Sequence, residues 1–426
     1  MRDEIGQKRP SLRDEFRTFS PSMRDFSYLC KKIADMIADE LFANMERLMK
    51  HISSDYKRYM YSVLPWNNRL TGLVGPRGVG KTTMVLQYIL EHKQEGMHLY
   101  VTADSTFFTT HTLVELADEF EKNGGTNLYI DEIHKYPEWS RELKEIYDLH
   151  PGLKVFFTGS SVLDILKGEA DLSRRALVYT MQGMSFREYL GLFHQIEVPA
   201  YSLNQILANE ALIPGVDHPL PLFRDYLSRG YYPFSNEEGF AMRMQQIVML
   251  TVENDIPLYA DMKISTARKI KRMLTIIAQL APYKPSYESL AGEVGVSKNN
   301  IADYLLYLEK AGMIGLLRDD TGGMRGLGKM EKIYVDNPNL MMALAEGVPN
   351  IGNLRETFFY NQMRVNNDVV SSKQSDFAIG QYTFEVGGRN KGQRQIADLP
   401  NGIIAKDDIE FGHANIVPLW AFGLNY

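Results

Sequence analysis

The run Leu70-Thr71-Gly72-Leu73-Val74 leads directly into Gly75-Pro76-Arg77-Gly78-Val79-Gly80-Lys81-Thr82-Thr83. No other segment limits the folding of this chain so narrowly. The first five residues read as a buried strand, and Lys81 to Glu91 as a helix. The three glycines between them permit backbone conformations closed to residues that carry a Cβ. Such a loop turns its amide hydrogens inward and forms a concavity for an anion. The helix behind it adds its positive N-terminal end. The spacing Gly-x-x-x-x-Gly-Lys-Thr therefore predicts a phosphate-binding loop over residues 75–83. Lys81 is expected to reach the β- and γ-phosphates of ATP, and the Thr82 hydroxyl to sit on Mg²⁺.

Apolar runs and helical stretches alternate beyond this loop. His98–Ala103, Asn127–Ile133, Leu153–Thr158 and Ala176–Gln182 read as strands, with helices over Leu113–Phe120 and Trp139–Tyr147. Alternation of this length predicts a parallel sheet covered by helices, and near-continuous apolar strands fit burial on both faces. The strand Leu128-Tyr129-Ile130 ends in Asp131-Glu132, fifty residues after Lys81. There Asp131 is expected to serve as the magnesium ligand and Glu132 to direct or deprotonate an attacking water. In Phe157-Thr158-Gly159-Ser160-Ser161, Ser160 is the candidate for a hydroxyl between that water and the γ-phosphate. Arg174 or Arg175 is the candidate cation for transition-state charge, in cis or from a neighbouring subunit. His134 is expected to be a structural loop histidine.

The flanking regions are read more coarsely. Residues 1–20 form a loose arm, and apolar residues from Leu29 to Met49 recur every three or four positions, predicting an amphipathic helix from Phe26 to about Leu64. Four parts follow: residues 1–64, an ATPase domain at 65–195, a helical and winged-helix domain at 196–350, and a small α/β domain at 351–426. In the third part, Ile270, Met273, Leu274, Ile277 and Leu280 line one helix, Ser286 caps a second, and a third starts at Lys298. Lys298, Asn299 and Asn300 would be the residues to read DNA from such a helix–turn–helix. The glycine-dense residues 321–328 suit a loop or wing tip. In the fourth part, Glu356, Asp376 and Glu385 are spaced like the acids of a metal-dependent nuclease, with Gln395 as a supporting polar residue. Gly387 stands where such a nuclease needs lysine. Arg389 and Lys391 lie nearby without the right spacing, so a degenerate fold for binding or scaffolding is expected. Arg389, Lys391 and Arg394 could still touch nucleic-acid phosphate.

Composition excludes several classes. The net charge of −6 gives no global attraction to nucleic acid, so any contact with DNA needs a local basic face. Cys30 is the only cysteine, which rules out an intramolecular disulfide and a thiolate zinc cluster. No apolar run is long enough to span a membrane, and the charged start Met1–Arg9 is unlike a secretory leader. A cytoplasmic protein is expected.

These segments together resemble a group of prokaryotic AAA-superfamily ATPases. The likeness rests on Arg69–Thr83, Tyr129–Lys135 and Phe157–Ser161, then Met184–Leu190, Lys332–Pro338 and Pro418–Gly423. It implies an α/β P-loop NTPase domain with a parallel sheet, followed by a winged-helix segment and a restriction-endonuclease-like region. It also implies ATP and Mg²⁺ binding and assembly into an oligomer such as a hexamer. The expected activity is Mg²⁺-dependent ATP hydrolysis coupled to conformational change. An ATP-switched DNA-binding regulator or defence component is the alternative, with an ATP-gated nuclease behind it.

Overall fold

A computed structural model describes residues 40–159, 172, 174–257, 262–284, 286–320, 329–345, 347–392 and 396–426. The expected N-terminal helix ends before its expected boundary near Leu64. The described part of helix α1 covers residues 40–49, and the chain is not helical again until α2, Met60–Val63. Leu29, Ile33, Met36 and Ile37 lie outside the described residues. The break has a local cause. Ser53 Oγ donates to Asp55 Oδ2 at 2.7 Å and accepts from Asp55 N at 3.1 Å, offering the backbone an alternative to helical pairing. Gln87 Nε2 then binds the carbonyls of Ser53 and Tyr56 and fixes the turn.

The first domain follows the expected alternation. Its elements are β1 (Leu70–Val74), α3 (Lys81–His92), β2 (Met97–Thr102), α4 (Leu113–Lys122) and β3 (Gly125–Asp131). They continue with α5 (Trp139–Leu149), β4 (Lys154–Gly159) and β5 (Leu177–Thr180). The five strands form one parallel sheet in the order β2-β3-β4-β1-β5. This is a P-loop NTPase fold. Strand β4 lies between β1 and β3, so three strand ends that are remote in sequence meet at one edge of the sheet. Apolar side chains fill both faces: Leu73, Tyr129 and Phe156 contribute to one core, and Leu70, Leu128, Ile130 and Phe157 to the other. Capping boxes start α4 at Thr112–Glu115 and α6 (Phe186–His194) at Ser185–Glu188.

A helical region comes next, with α7 (Leu203–Leu207), α8 (Leu220–Arg229) and α9 (Phe240–Leu250). Residues Thr251–Asp255 continue α9 as a π-helical turn. Three helices follow, α10 (Ile264–Leu280), α11 (Tyr287–Val294) and α12 (Lys298–Lys310). The antiparallel pair β6 (Ile314–Arg318) and β7 (Met330–Val335) completes this unit. Ser286 Oγ accepts from Ser289 N and starts α11, and Gly295 ends it with φ 75°. Ile270, Met273, Leu274 and Ile277 are buried as expected, but Leu280 is 48% exposed because α10 ends there. Residues 321–328, the expected wing tip, lie outside the described residues.

The last part begins with α13 (Pro338–Leu344) and α14 (Ile351–Met363). Strands β8 (Val369–Ser371), β9 (Phe377–Ile379), β10 (Tyr382–Gly387), β11 (Gly402–Lys406) and β12 (Ile416–Pro418) make a mixed sheet. Its β10, β11 and β12 run parallel, while β8, β9 and β10 are paired antiparallel. Phe359 of α14 packs on Phe377, Phe384 and Phe422. Arg187 Nε and Ser185 Oγ both donate to Tyr426 O at 2.7 Å, tying this part back to α6.

Candidate nucleotide site

The loop between β1 and α3 lies at the C-terminal edge of the parallel sheet, where open α/β sheets place their ligands. Two of its glycines are required by contact. A Cβ on Gly75 would lie 2.2 Å from Met181 O, and one on Gly78 (φ 78°) 2.6 Å from the Phe234 ring. Lys81 opens α3 with a buried side chain, and its Nζ donates to Gly75 O and Pro76 O, each at 2.8 Å. Burial lowers the Lys81 ammonium to a pKa of about 8, against the opposing pull of Glu132 and Asp131.

Strand order assembles the acids around this loop. Thr82 Oγ1 donates to Asp131 Oδ2 at 2.7 Å, as does Tyr100 Oη. Burial, with Asp131 beside it, keeps the Tyr100 phenol protonated as a donor. Thr158, at the end of β4, donates its hydroxyl to Asp131 Oδ1 and accepts from Glu132 N at 3.3 Å. Asp131 is thus bound by three neutral hydroxyls, and among the described residues it takes no ion pair. A carboxylate beside a hydroxyl is a hard-oxygen donor set, and this suits Mg²⁺. Glu132 follows in a left-handed conformation, φ 51° and ψ 39°. Its Oε2 lies 3.4 Å from His134 Nε2 and 3.9 Å from Arg77 Nη1. Burial drives His134 down to a pKa of about 4, so the ring is neutral at physiological pH. Its Nε2 contacts Glu132 directly.

Thr82, Thr83 and Glu132 line an open cleft of about 450 Å³ together with Arg77, Lys81 and Phe234. Phe234 comes from the segment between α8 and α9, which the sequence did not link to the site. Arg58 was missed as well. Its side chain is 6% exposed and donates to Val79 O in the loop, to Gln182 O at 2.8 Å and to both oxygens of Glu188. Asp255, the last residue of the π-helical turn, accepts from Arg77 Nε at 2.8 Å and from Nη2 at 2.9 Å. A basic residue shortly before the first strand was the only local hint of Arg58. Nothing in the sequence pointed to Asp255.

The candidate arginines lie elsewhere. Arg175 Nε and Nη2 bind Asp148 at 2.9 Å each, at the C-terminal end of α5. Tyr147 beside it holds Arg69, the residue before β1. Arg175 also precedes β5, whose Leu177 pairs with Thr71. All these residues mark the N-terminal edge of the sheet, opposite the phosphate loop. Neither Arg175 nor the exposed Arg174 can therefore reach the cleft of its own chain, and the cis option is corrected. Ser160 lies outside the described residues. At the end of β4 the hydroxyl that touches the acids is that of Thr158.

The remaining candidates are distributed as follows. Lys298, Asn299 and Asn300 are exposed at the start of α12, and Lys298 pairs with Glu288. Glu356 and Asp376 share Lys332 Nζ, at 3.2 Å from each, and Tyr334 Oη donates to Glu356 at 2.8 Å. Burial and then Asp376 raise the Glu356 carboxyl above its usual range. Glu385 is bound by Ser375 Oγ and Lys391 Nζ. The stem of Lys391 packs where a Gly387 side chain would be, so it reaches the acid despite its spacing. Arg389 is exposed, and Arg394 and Gln395 lie outside the described residues. Among the described residues no group of three or more His, Cys, Asp or Glu is arranged to hold a metal. No described helix is long and apolar enough to cross a membrane.

Residues 67–190 match the model of a family described as an AAA domain, and residues 220–350 match a domain of unknown function. The first match spans the phosphate loop, Asp131, Glu132 and Thr158. An uncharacterised protein of Methanocaldococcus jannaschii, MJ1637, is 27% identical over 289 residues, covering 63% of this chain and 58% of that protein. The chain thus spans less than two thirds of that relative's length. Among solved structures, the Walker-type ATPase PABY2304 of Pyrococcus abyssi is similar with a TM-score of 0.39 at 13% identity, covering 65% of this chain and 91% of that one. AMPPCP-bound DnaA of Aquifex aeolicus gives a TM-score of 0.25 at 14% identity, with coverages of 57% and 82%. Residues 67–190 are thus similar to AAA domains, and they fold as a P-loop NTPase domain.

Proposed function

We propose that the protein is a Mg²⁺-dependent ATP hydrolase of the AAA type that passes the state of its nucleotide to its helical and C-terminal parts. The observation that carries this reading is the meeting of Lys81, Thr82, Asp131 and Glu132 at one sheet edge, with Thr82 Oγ1 2.7 Å from Asp131 Oδ2. A protein that only stores nucleotide needs the first three. The second carboxylate is what hydrolysis requires.

In this reading the loop amides of residues 75–83 and the Lys81 ammonium bind the β- and γ-phosphates. Thr82 and Asp131 would hold Mg²⁺, which supplies charge neutralisation on the phosphate oxygens. Glu132 orients a water and takes its proton as the oxygen bonds to the γ-phosphorus. The bond from that phosphorus to the bridging oxygen breaks, and ADP and phosphate leave. Thr158 fixes the Glu132 backbone and the Asp131 carboxylate. A second hollow of about 380 Å³ adjoins the cleft through Gly80, Thr83 and Pro233, with Tyr56, Arg58 and Met84 on its wall. We assign the adenine and ribose to it, because it is less polar than the cleft and lies directly behind the loop.

The helices α10–α12 with β6 and β7 form, in this reading, a winged-helix unit that serves as a lid on the ATPase domain. Gly312, in the turn before β6, approaches Pro76 of the loop so closely that a Cβ there would lie 2.9 Å from the Pro76 ring. Arg174 and Arg175 are left to act on the cleft of a neighbouring subunit, in an oligomer that could be a hexamer. The paired Lys298 gives no support to reading DNA. Lys81→Ala is expected to abolish tight ATP binding, and Glu132→Gln to keep binding while lowering turnover by about 10²–10⁴-fold. Isothermal calorimetry and phosphate release measure the two effects. Equal turnover of wild type and Glu132→Gln would refute the hydrolytic assignment.

A further inference from the structure

The cleft has no arginine from the Arg174–Arg175 pair of its own chain, yet one guanidinium lines it. Arg77 belongs to the phosphate loop itself. Its Nε and Nη2 are both engaged by Asp255, at 2.8 and 2.9 Å, in a fork-to-fork pair. That geometry leaves Nη1 directed toward Glu132, 3.9 Å from Oε2. The Arg77 side chain is 21% exposed and that of Asp255 only 4%, so the acid is the fixed partner and the arginine the one facing the cleft. Asp255 is held in turn by its setting. It closes the π-helical turn Thr251–Asp255, a distortion found frequently at functional sites. Glu253 of the same turn pairs with Lys271 of α10 at 2.7 Å.

We infer that Arg77 is the cation that serves the γ-phosphoryl group within its own chain, and that Asp255 is the positioning residue that aims it. This assignment deepens the ATPase reading and rests on it. It requires only that Nη1 meet the charge that develops between the γ-phosphate and the attacking water. It also gives the helical region a direct part in turnover. Any displacement of the π-helical turn moves Asp255, and the arginine in the cleft follows. Lysine cannot replace Arg77, because an ammonium cannot bind Asp255 through two nitrogens and still present a third.

The test compares full-length wild type with Arg77→Ala, Arg77→Lys, Asp255→Asn and Asp255→Glu. Calorimetry gives affinities for ADP and for the non-hydrolysable triphosphate AMPPNP, and phosphate release gives turnover. Arg77→Ala and Asp255→Asn are expected to leave ADP affinity within about two-fold of wild type while weakening AMPPNP. They are expected to lower kcat by about a thousand-fold, the lower end of the range for arginine fingers. Arg77→Lys should stay low and Asp255→Glu should recover part of the rate, which a merely structural role for Asp255 would not produce. Unchanged melting temperatures exclude unfolding as the cause, and Arg77→Ala, at a half-buried position, carries the test should Asp255→Asn fail to fold. Wild type that binds neither nucleotide overturns the ATPase reading and this inference with it. Wild type that binds and hydrolyses ATP, with Arg77→Ala turning over at the same rate, overturns this inference alone.

Discussion

Two groups of acids invite comparison, Asp131 with Glu132 at the sheet edge of the first domain, and Glu356, Asp376 and Glu385 in the last part. Both contain enough carboxylate to hold a cation. They differ in what already satisfies them. Asp131 is bound by the hydroxyls of Thr82, Tyr100 and Thr158, which orient the carboxylate and bring no opposing charge. Glu356 and Asp376 close on the Lys332 ammonium, and Glu385 on that of Lys391. In the first group the nearby Lys81 spends its hydrogen bonds on the carbonyls of Gly75 and Pro76. In the second the lysines already stand where a metal would. The number of acids therefore says little about metal binding, and the identity of their donors says much more.

The contrast can be broken by experiment. The largest effect is expected from Glu132→Gln set against Glu356→Gln and Glu385→Gln. The first loses about 10²–10⁴-fold in turnover, while the other two stay near wild type in a phosphate-release assay. A loss of the same order in Glu385→Gln would show that the two groups act together. Next in size is pH. Lys81 has a pKa of about 8 before a phosphate arrives, and the added negative charge raises it. ATP affinity should thus be full below pH 8 and fall by up to about ten-fold per unit above it, measured by calorimetry from pH 6.5 to 9.5. His134, neutral above about pH 4, adds nothing across that range. A flat profile would mean that Lys81 stays protonated in the empty site across this range or that it is not the phosphate ligand. Lys332→Met should cost about 2 kcal/mol, below the ~3–5 kcal/mol of a fully buried broken pair because both partners keep some exposure. Chemical denaturation followed by tryptophan fluorescence would report it through Trp420, which is buried in the last part. The smallest effect is expected from Lys298→Ala, which removes a surface pair with Glu288 and should change stability by less than about 0.5 kcal/mol.

What could be read in the sequence was whatever a short segment determines by itself. The phosphate loop, the strand ending in Asp131-Glu132 and the Ser286 cap depend on neighbours within a few positions. The role of Thr158 depends on strand order, because only the insertion of β4 between β1 and β3 brings its hydroxyl to Asp131 and Glu132. The same topology removes Arg175. Its sequence position after β4 allowed a place in the cleft, but its place before β5 puts it at the far edge. Periodicity misjudged the N-terminal helix, since a pattern of apolar residues does not register the Ser53–Asp55 turn that interrupts it. Asp255 lies 178 residues beyond Arg77 and looks like any helical aspartate until the fold joins them.

The bracing of the phosphate loop bears on how the protein can be divided. Arg58 steadies the Val79 carbonyl from one side, and Asp255 steadies Arg77 from the other. Both residues fall outside the 67–190 span matched by the AAA-domain model. A fragment cut to that span would keep every letter of the nucleotide motif and lose both props, so a fully braced loop takes more of the chain than its signature does.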